Sequence, residues 1–163
     1  MVSQESGSSG AAGRKGNSRV KILFLCTGNT CRSQMAEGLT RHLKADAIEA
    51  YSAGVDPGDV NPRAVQSMAE IGIDISGCRP KSIDSLGRMD FDYVVTLCDH
   101  ANESCPLFSG KTRRRHVGFE DPPRLAEHAA TEEKVMNCYR RVRDEIRAFV
   151  EKLPDVLENG REP

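Results

Sequence analysis

Hydrophobic residues along this chain alternate between short unbroken runs and positions spaced at the helical period. Val20 to Cys26 (VKILFLC) is a β-rich apolar run of the kind that fills a strand covered on both faces. From Ser33 to Lys44 the apolar positions are Met35, Ala36, Leu39 and Leu43, a spacing that predicts a helix with Ser33 placed to cap it. IEAYSAGV (48–55) reads as a second strand. NPRAVQSMAEIGI then opens a helix with Asn61 as N-cap and Pro62 at the first helical position, where its missing donor costs nothing; Gly72 ends it. A short helix is expected around Ser82 to Leu86, a third strand over Phe91 to Cys98 (FDYVVTLC) and a weaker fourth in RRRHVGF (113–119). The last element is a long helix from about Thr131, with Val135, Tyr139, Val142, Ile146, Phe149 and Leu153 on one face and Pro154 closing it. Strands alternating with helices predict a single three-layer α/β domain, a four-stranded, mostly parallel sheet flanked by helices.

Composition narrows this picture at both ends. Residues 1–18 are rich in Gly and Ser and carry too little apolar surface to offset ordering entropy, so a disordered tail is expected there. The folded domain is placed at 19–153, followed by a polar tail at 154–163. Lys plus Arg number 23 and Asp plus Glu 24, a formal net charge of -1, so no overall field draws in nucleic acid or an anionic membrane, and neither is expected as a partner. Without a long apolar stretch or a secretory leader the protein is expected to be cytoplasmic, and nothing in the sequence demands more than a monomer. Six cysteines in 163 residues are too sparse for a secreted disulfide framework, which points to catalytic, redox or buried roles. No Cys-x2-Cys or His-x3-His pair is present, so no structural metal is expected.

Chemistry concentrates where the first strand turns into the first helix. Parallel sheets bind ligands beyond the carboxyl ends of their strands, and Cys26 and Cys98 both stand at such ends. Between strand and helix, Thr27, Gly28, Asn29, Thr30, Cys31, Arg32 and Ser33 can turn successive backbone N–H groups inward, because Gly28 and Asn29 tolerate left-handed geometry. The helix N-terminus adds partial positive charge, and Arg32 is able to hold two oxygens of a tetrahedral oxyanion. That field favours Cys26 as thiolate, its nucleophilic form, with Ser33 as a hydrogen-bond donor to it. A Cys-x5-Arg spacing alone is weak, since a buried cysteine and a surface arginine would produce it; strand, loop, glycine, arginine, serine and helix in order carry the reading.

The stretch CTGNTCRSQMAEG (26–38) resembles the signature of the low-molecular-weight protein tyrosine phosphatase fold, and in detail that of the thioredoxin-coupled arsenate reductases built on it. The resemblance runs on through YSAG (51–54), Asn61-Pro62, VVTLC (94–98), Cys105-Pro106 and GFEDP (118–122). It implies that Cys26 attacks arsenate while Asp121 protonates the departing oxygen. Cys98 then attacks Cys26 and releases arsenite, Cys105 attacks Cys98, and thioredoxin reduces the resulting disulfide. No cofactor is implied. Glutaredoxin or another thiol system remains open as reductant. Cys31 is read as a bystander within the anion loop, and Cys78 and Cys138 carry no implied role. Pro123 and Arg124 stand where phosphatases of this fold usually place tyrosines, which favours a small inorganic substrate. Some reductases of this kind hold potassium beside the loop through residues matching Asn29, Glu37 and Ser52 together with a carboxylate where this chain has Lys81. The Lys81 ammonium is therefore expected to stand in for the cation and pair with Glu37, while Asp84 keeps a metal alternative open.

The relay makes a geometric demand. On one continuous helix Cys98 and Cys105 would be about 10 Å apart, beyond disulfide reach, so the polar segment DHANES (99–104) must unwind or loop out when they join. Two other readings stand beside the reductase: a low-molecular-weight phosphatase, which needs only Cys26, Arg32 and an acid, and a non-catalytic oxyanion-binding or redox-sensing module.

Overall fold

The computed structural model describes residues 18–108 and 110–159. The tail expected over residues 1–18 thus lies almost wholly, and that over 154–163 in part, outside the described residues. Strand β1 (Val20–Cys26) pairs with β2 (Ile48–Gly54) on one side and β3 (Tyr93–Thr96) on the other, and β3 pairs with β4 (Arg113–His116), giving the order β2-β1-β3-β4. All these pairings are parallel. The unbroken apolar run of β1 follows from its inner position, since Ile22, Leu23, Phe24 and Leu25 are all fully buried. Strand β3 is shorter than the run Phe91–Cys98 suggests, because β4 supplies partners only for Tyr93 to Thr96.

The chain leaves β1 for β2 on one side and crosses back to β3 on the other. A crevice opens where this reversal occurs, past the carboxyl ends of β1 and β3, and it is there that Cys26 and Cys98 sit.

Helix α1 (Arg32–Leu43) packs on β2 and on the long helix α5 (Glu132–Glu151), which also covers α2 (Pro62–Ala69) and α4 (Pro122–Leu125). Asn61 caps α2 by accepting from the backbone of Arg63 at 2.9 Å, and its Nδ2 donates to the Tyr139 hydroxyl at 2.9 Å, tying that helix start to α5. Between β2 and β3 the chain makes a 3-10 helix, Ile83–Leu86; α3 (Asp99–Ser104) follows β3, and α6 (Asp155–Glu158) follows α5. Along α5, Tyr139, Val142 and Ile146 are buried as the spacing predicts, but Val135 and Phe149 are only half-buried and Met136 and Val150 turn inward instead. A stripe spaced alternately by four and three drifts by about 20° per heptad on a straight helix, so Val135 and Phe149 rotate off the core, while Leu153, past the end of α5, is buried as expected.

Arg143, also inward, is satisfied by the Ser67 carbonyl at 2.7 Å, Glu70 at 3.2 Å and Asp144 at 2.9 Å. A buried guanidinium with all these partners clamps α5 to the end of α2. Two boundaries differ from expectation. Helix α1 begins at Arg32 with Cys31 as its N-cap and no side-chain capping bond, because the Ser33 hydroxyl is engaged elsewhere. Beyond Pro154, α6 buries Leu157 to 2% exposure, so part of the segment read as a polar tail packs on the core. Among the described residues no helix is long and apolar enough to cross a membrane.

Candidate active site

The loop between β1 and α1 is held from outside by its own carbonyls. Those of Cys26, Thr27, Gly28 and Thr30 accept from the backbone N–H groups of Val55 (3.2 Å), Asp56 (2.8 Å), Gly58 (3.0 Å) and Asn61 (3.0 Å), and that of Asn29 accepts from Gln34 Nε2 at 3.1 Å. In a trans peptide the N–H points opposite its C=O, so the amides of Thr27 to Cys31 are turned inward, as an anion nest requires. Asn29 holds the turn with φ 52°. Its buried side chain accepts from the Lys81 backbone N–H at 2.9 Å and donates to Ser33 Oγ at 2.8 Å. That donation fills one acceptor site of the hydroxyl and leaves its proton free for Cys26 Sγ, 2.9 Å away. Ser33 thus serves the sulfur rather than the helix end.

Arg32 is fixed at the mouth of the loop. Its Nη1 donates to the Phe119 carbonyl at 2.9 Å and its Nη2 pairs with Asp121 Oδ1 at 3.3 Å. The guanidinium and the carboxylate share a cleft of about 840 Å³ with Thr27, Cys98, His100 and Arg124. Glu120 turns away to Arg141 at 2.9 Å. Burial, with Cys26 and Asp121 nearby, pushes the Cys31 thiol far up and keeps it neutral, which suits a bystander rather than a nucleophile.

Cys98 comes to this cleft through the sheet. It caps α3, its sulfur accepting from the Ala101 N–H at 3.4 Å. Cys98 Sγ and Thr27 Oγ1 are hydrogen-bonded at 3.3 Å, and Thr27 Oγ1 lies 3.1 Å from His100 Nδ1. The hydroxyl's single proton serves the sulfur when His100 supplies an Nδ1–H. Cys105 closes the other end of α3, half-buried, with its thiol against the Pro106 carbonyl at 3.5 Å. Burial pushes this thiol up, and Arg114 opposes the shift. All six cysteines are unpaired.

Other neighbours escape sequence reasoning. Gly54, at the end of β2, lies against the anion loop so closely that a Cβ there would stand 2.7 Å from the Thr27 carbonyl oxygen and 2.8 Å from the Asn29 nitrogen. The signal was present, a glycine ending an apolar strand, but nothing local says what approaches it. His100 and the Phe119 carbonyl are likewise visible only in three dimensions. One expectation is corrected. The Lys81 ammonium donates to the Arg79 carbonyl at 3.3 Å and does not pair with Glu37. Arg41, one turn further along α1, holds that carboxylate at 2.9 Å, and Ser52 Oγ donates to it at 2.9 Å. Asp84 is exposed on the 3-10 helix.

A cysteine and an arginine bracketing an anion loop at the sheet's switch point place the chain among the cysteine-dependent phosphatase folds, and residues 21–162 match the low molecular weight phosphotyrosine protein phosphatase family. The chain belongs to that family. Within it, it is similar to arsenate reductases: 47% identical over 139 residues to that of Shouchella clausii, covering 84% of this chain and 96% of that protein. Its identity to the arsenate reductase of Bacillus subtilis is 44% over 140 residues, covering 86% and 96%. The crystal structure of arsenate reductase from Archaeoglobus fulgidus, 32% identical, matches with a TM-score of 0.64 over 81% of this chain and 97% of that one.

Proposed function

We propose that this protein reduces arsenate to arsenite through a Cys26–arsenic adduct and a disulfide relayed from Cys26–Cys98 to Cys98–Cys105, with thioredoxin restoring the thiols. The observation that carries the reading is the bond between Cys98 Sγ and Thr27 of the anion loop at 3.3 Å. A hydrolase of this fold has no use for a second thiol held against its cradle, whereas a two-electron reduction requires one. Similarity to arsenate reductases supports the substrate. So does Arg124 in the cleft, where a groove for an aryl ester would want rings.

Arsenate binds in the nest and draws Arg32 onto its oxygens, parting it from Asp121. The Cys26 sulfur attacks arsenic; one As–O bond breaks and Asp121 protonates the oxygen that leaves as water. Cys98 then attacks the Cys26 sulfur, and the S–As electron pair stays on arsenic, which departs as arsenite, As(III). Cys105 attacks Cys98 and returns Cys26 as thiolate. Thioredoxin takes over the Cys98–Cys105 disulfide and is itself oxidised.

Arsenate-dependent NADPH oxidation in the presence of thioredoxin and its reductase is the direct test. Wild-type protein is expected to sustain it; no arsenate-dependent signal would overturn the reading. Turnover of an aryl phosphate by a variant with Cys98 and Cys105 both replaced by Ser, without arsenate reduction by wild type, would favour the phosphatase instead. Next to Cys105, Leu107 is 99% exposed, the one large apolar side chain so placed among the described residues. An apolar contact beside the last thiol is expected to meet the reductant. Leu107→Glu should raise the KM for thioredoxin about tenfold, the size of one lost hot-spot contact, while single-turnover arsenite release is unchanged.

A further inference from the structure

Helix α3 lies between the two thiols that the relay must join, and side chains of the neighbouring strands hold it in place. Asn102 Oδ1 accepts from Arg114 Nη2 at 2.7 Å and from Thr96 Oγ1 at 3.3 Å. The Asn102 carbonyl accepts from the same arginine nitrogen. One turn earlier, Asp99 Oδ1 faces His116 Nε2 at 3.2 Å, and His116 Nδ1 is bonded to Thr96 Oγ1 at 2.9 Å. Arg114 and His116 are two apart on β4 and so project from one face. Asp99 and Asn102 are three apart on α3 and share one side of the helix. The contacts of Asp99 and Asn102 are made from the helical form of α3, while the Thr96–His116 bond joins β3 to β4 independently of it. Cys98 and Cys105 cap its opposite ends, about 10 Å apart along the axis, and no disulfide spans that distance. Joining them unwinds α3 and takes Asn102 away from Arg114.

We propose that Asn102 is a positioning residue that latches α3 to Arg114 and Thr96, and that this latch sets the reduction potential of the Cys98–Cys105 couple. The inference rests on the relay argued above. Contacts made in the dithiol form and lost in the disulfide form shift the equilibrium between them by their full differential free energy. A firm latch therefore makes the pair more oxidising, so the disulfide passes on to thioredoxin more completely. Arg114 has a second effect, since it also favours the Cys105 thiolate. Asn102 is for that reason the cleaner probe.

The test uses the full chain carrying Cys26→Ser, equilibrated with mixtures of glutathione and glutathione disulfide. The Cys98 and Cys105 thiols give two electrons and two protons to glutathione disulfide, yielding the protein disulfide and two glutathione molecules. The oxidised fraction is read by alkylation and peptide mapping. Asn102→Ala is expected to raise the equilibrium constant for disulfide formation about tenfold, a potential about 30 mV more negative. Asn102→Asp keeps the Oδ1 acceptor and adds charge opposite Arg114, so it should shift the constant severalfold the other way. Opposite signs at one position are not what general loosening of the fold would produce. Amide exchange across residues 99–104 of the reduced proteins should be fastest in the Ala variant and slowest in the Asp variant. Equal constants in parent and variants, or shifts in the same direction, would overturn the latch alone. A parent that forms no Cys98–Cys105 disulfide at any glutathione ratio would overturn the relay and the latch with it.

Discussion

Cys105→Ser protein should release one arsenite per molecule in a rapid first turnover and then nearly stop. Cys26 and Cys98 are still present, so arsenate is attacked, arsenic leaves as arsenite, and a Cys26–Cys98 disulfide forms. That disulfide has nowhere to go. Its two sulfurs belong to residues only 3% and 8% exposed, and a thiol exchange partner must reach a sulfur in line to attack it. Cys105, half-buried next to the exposed Leu107, is the thiol that a reductant is expected to meet under the proposed relay. Steady-state NADPH oxidation with thioredoxin is expected to fall on the order of 10²-fold from lost access alone, with the first-turnover rate within about twofold of wild type. Rapid-quench measurement of arsenite and mass spectrometry of the trapped disulfide check both halves. Wild-type steady-state rates in the variant would show that Cys105 is not the terminal thiol.

Gly54→Ala should be nearly as damaging, although residue 54 touches no substrate. The added methyl would stand 2.7 Å from the Thr27 oxygen, 2.8 Å from the Asn29 nitrogen and 2.9 Å from the Gly28 carbonyl carbon, all of them backbone. No flexible side chain is available to yield. Nor can β2 retreat, because the Gly54 N–H donates to the Lys81 carbonyl at 2.7 Å and the strand is paired along its length with β1. The anion loop must move instead, and it is the loop that aims the amides and holds Cys26 against Ser33. A displacement near 1 Å in a catalytic constellation costs on the order of 10²-fold in rate, so arsenate kcat/KM should fall by about that factor. Phosphate, as an inert mimic of the substrate anion, should bind correspondingly less well. Gly77, with nothing within 4 Å of a Cβ and no positive φ, supplies the control: Gly77→Ala should leave kcat/KM unaltered. Unchanged kinetics in Gly54→Ala would mean that the loop is not held as tightly as these distances require.

How much of this was legible beforehand differs from residue to residue. The proposed anion loop can be read from the sequence because a nest is a local object: its glycine, its asparagine, its arginine and the following helix are contiguous. Ser33 reads in the sequence both as a loop residue and as a cap, and its hydroxyl, already bonded to Asn29 and Cys26, leaves α1 without a side-chain cap. Lys81 was misjudged because an ammonium on a long stem has no direction in a sequence. Its backbone N–H, not its charge, is what reaches the loop, and Arg41 was already within a helical turn of Glu37. Gly54 stands in the sequence only as part of the second strand and of the YSAG stretch, since what crowds it comes from a different element.

The sequence by itself determined the succession of strands and helices, and it set out in order the residues proposed for the anion loop and the relay. Burial period, turn residues and caps act over a few residues, and so they can be read in order along the chain. The contact between Cys98 and the cradle, expected from strand ends and resemblance, is made only by the tertiary structure. The order β2-β1-β3-β4 sets β3 beside β1 and so brings Cys98 to Thr27 across 71 positions. The same placement sets β4 beside α3, so that Arg114 and Thr96 close on Asn102. Those contacts depend on strand pairing and register, which are global properties of the sheet, and no local pattern of residues encodes them.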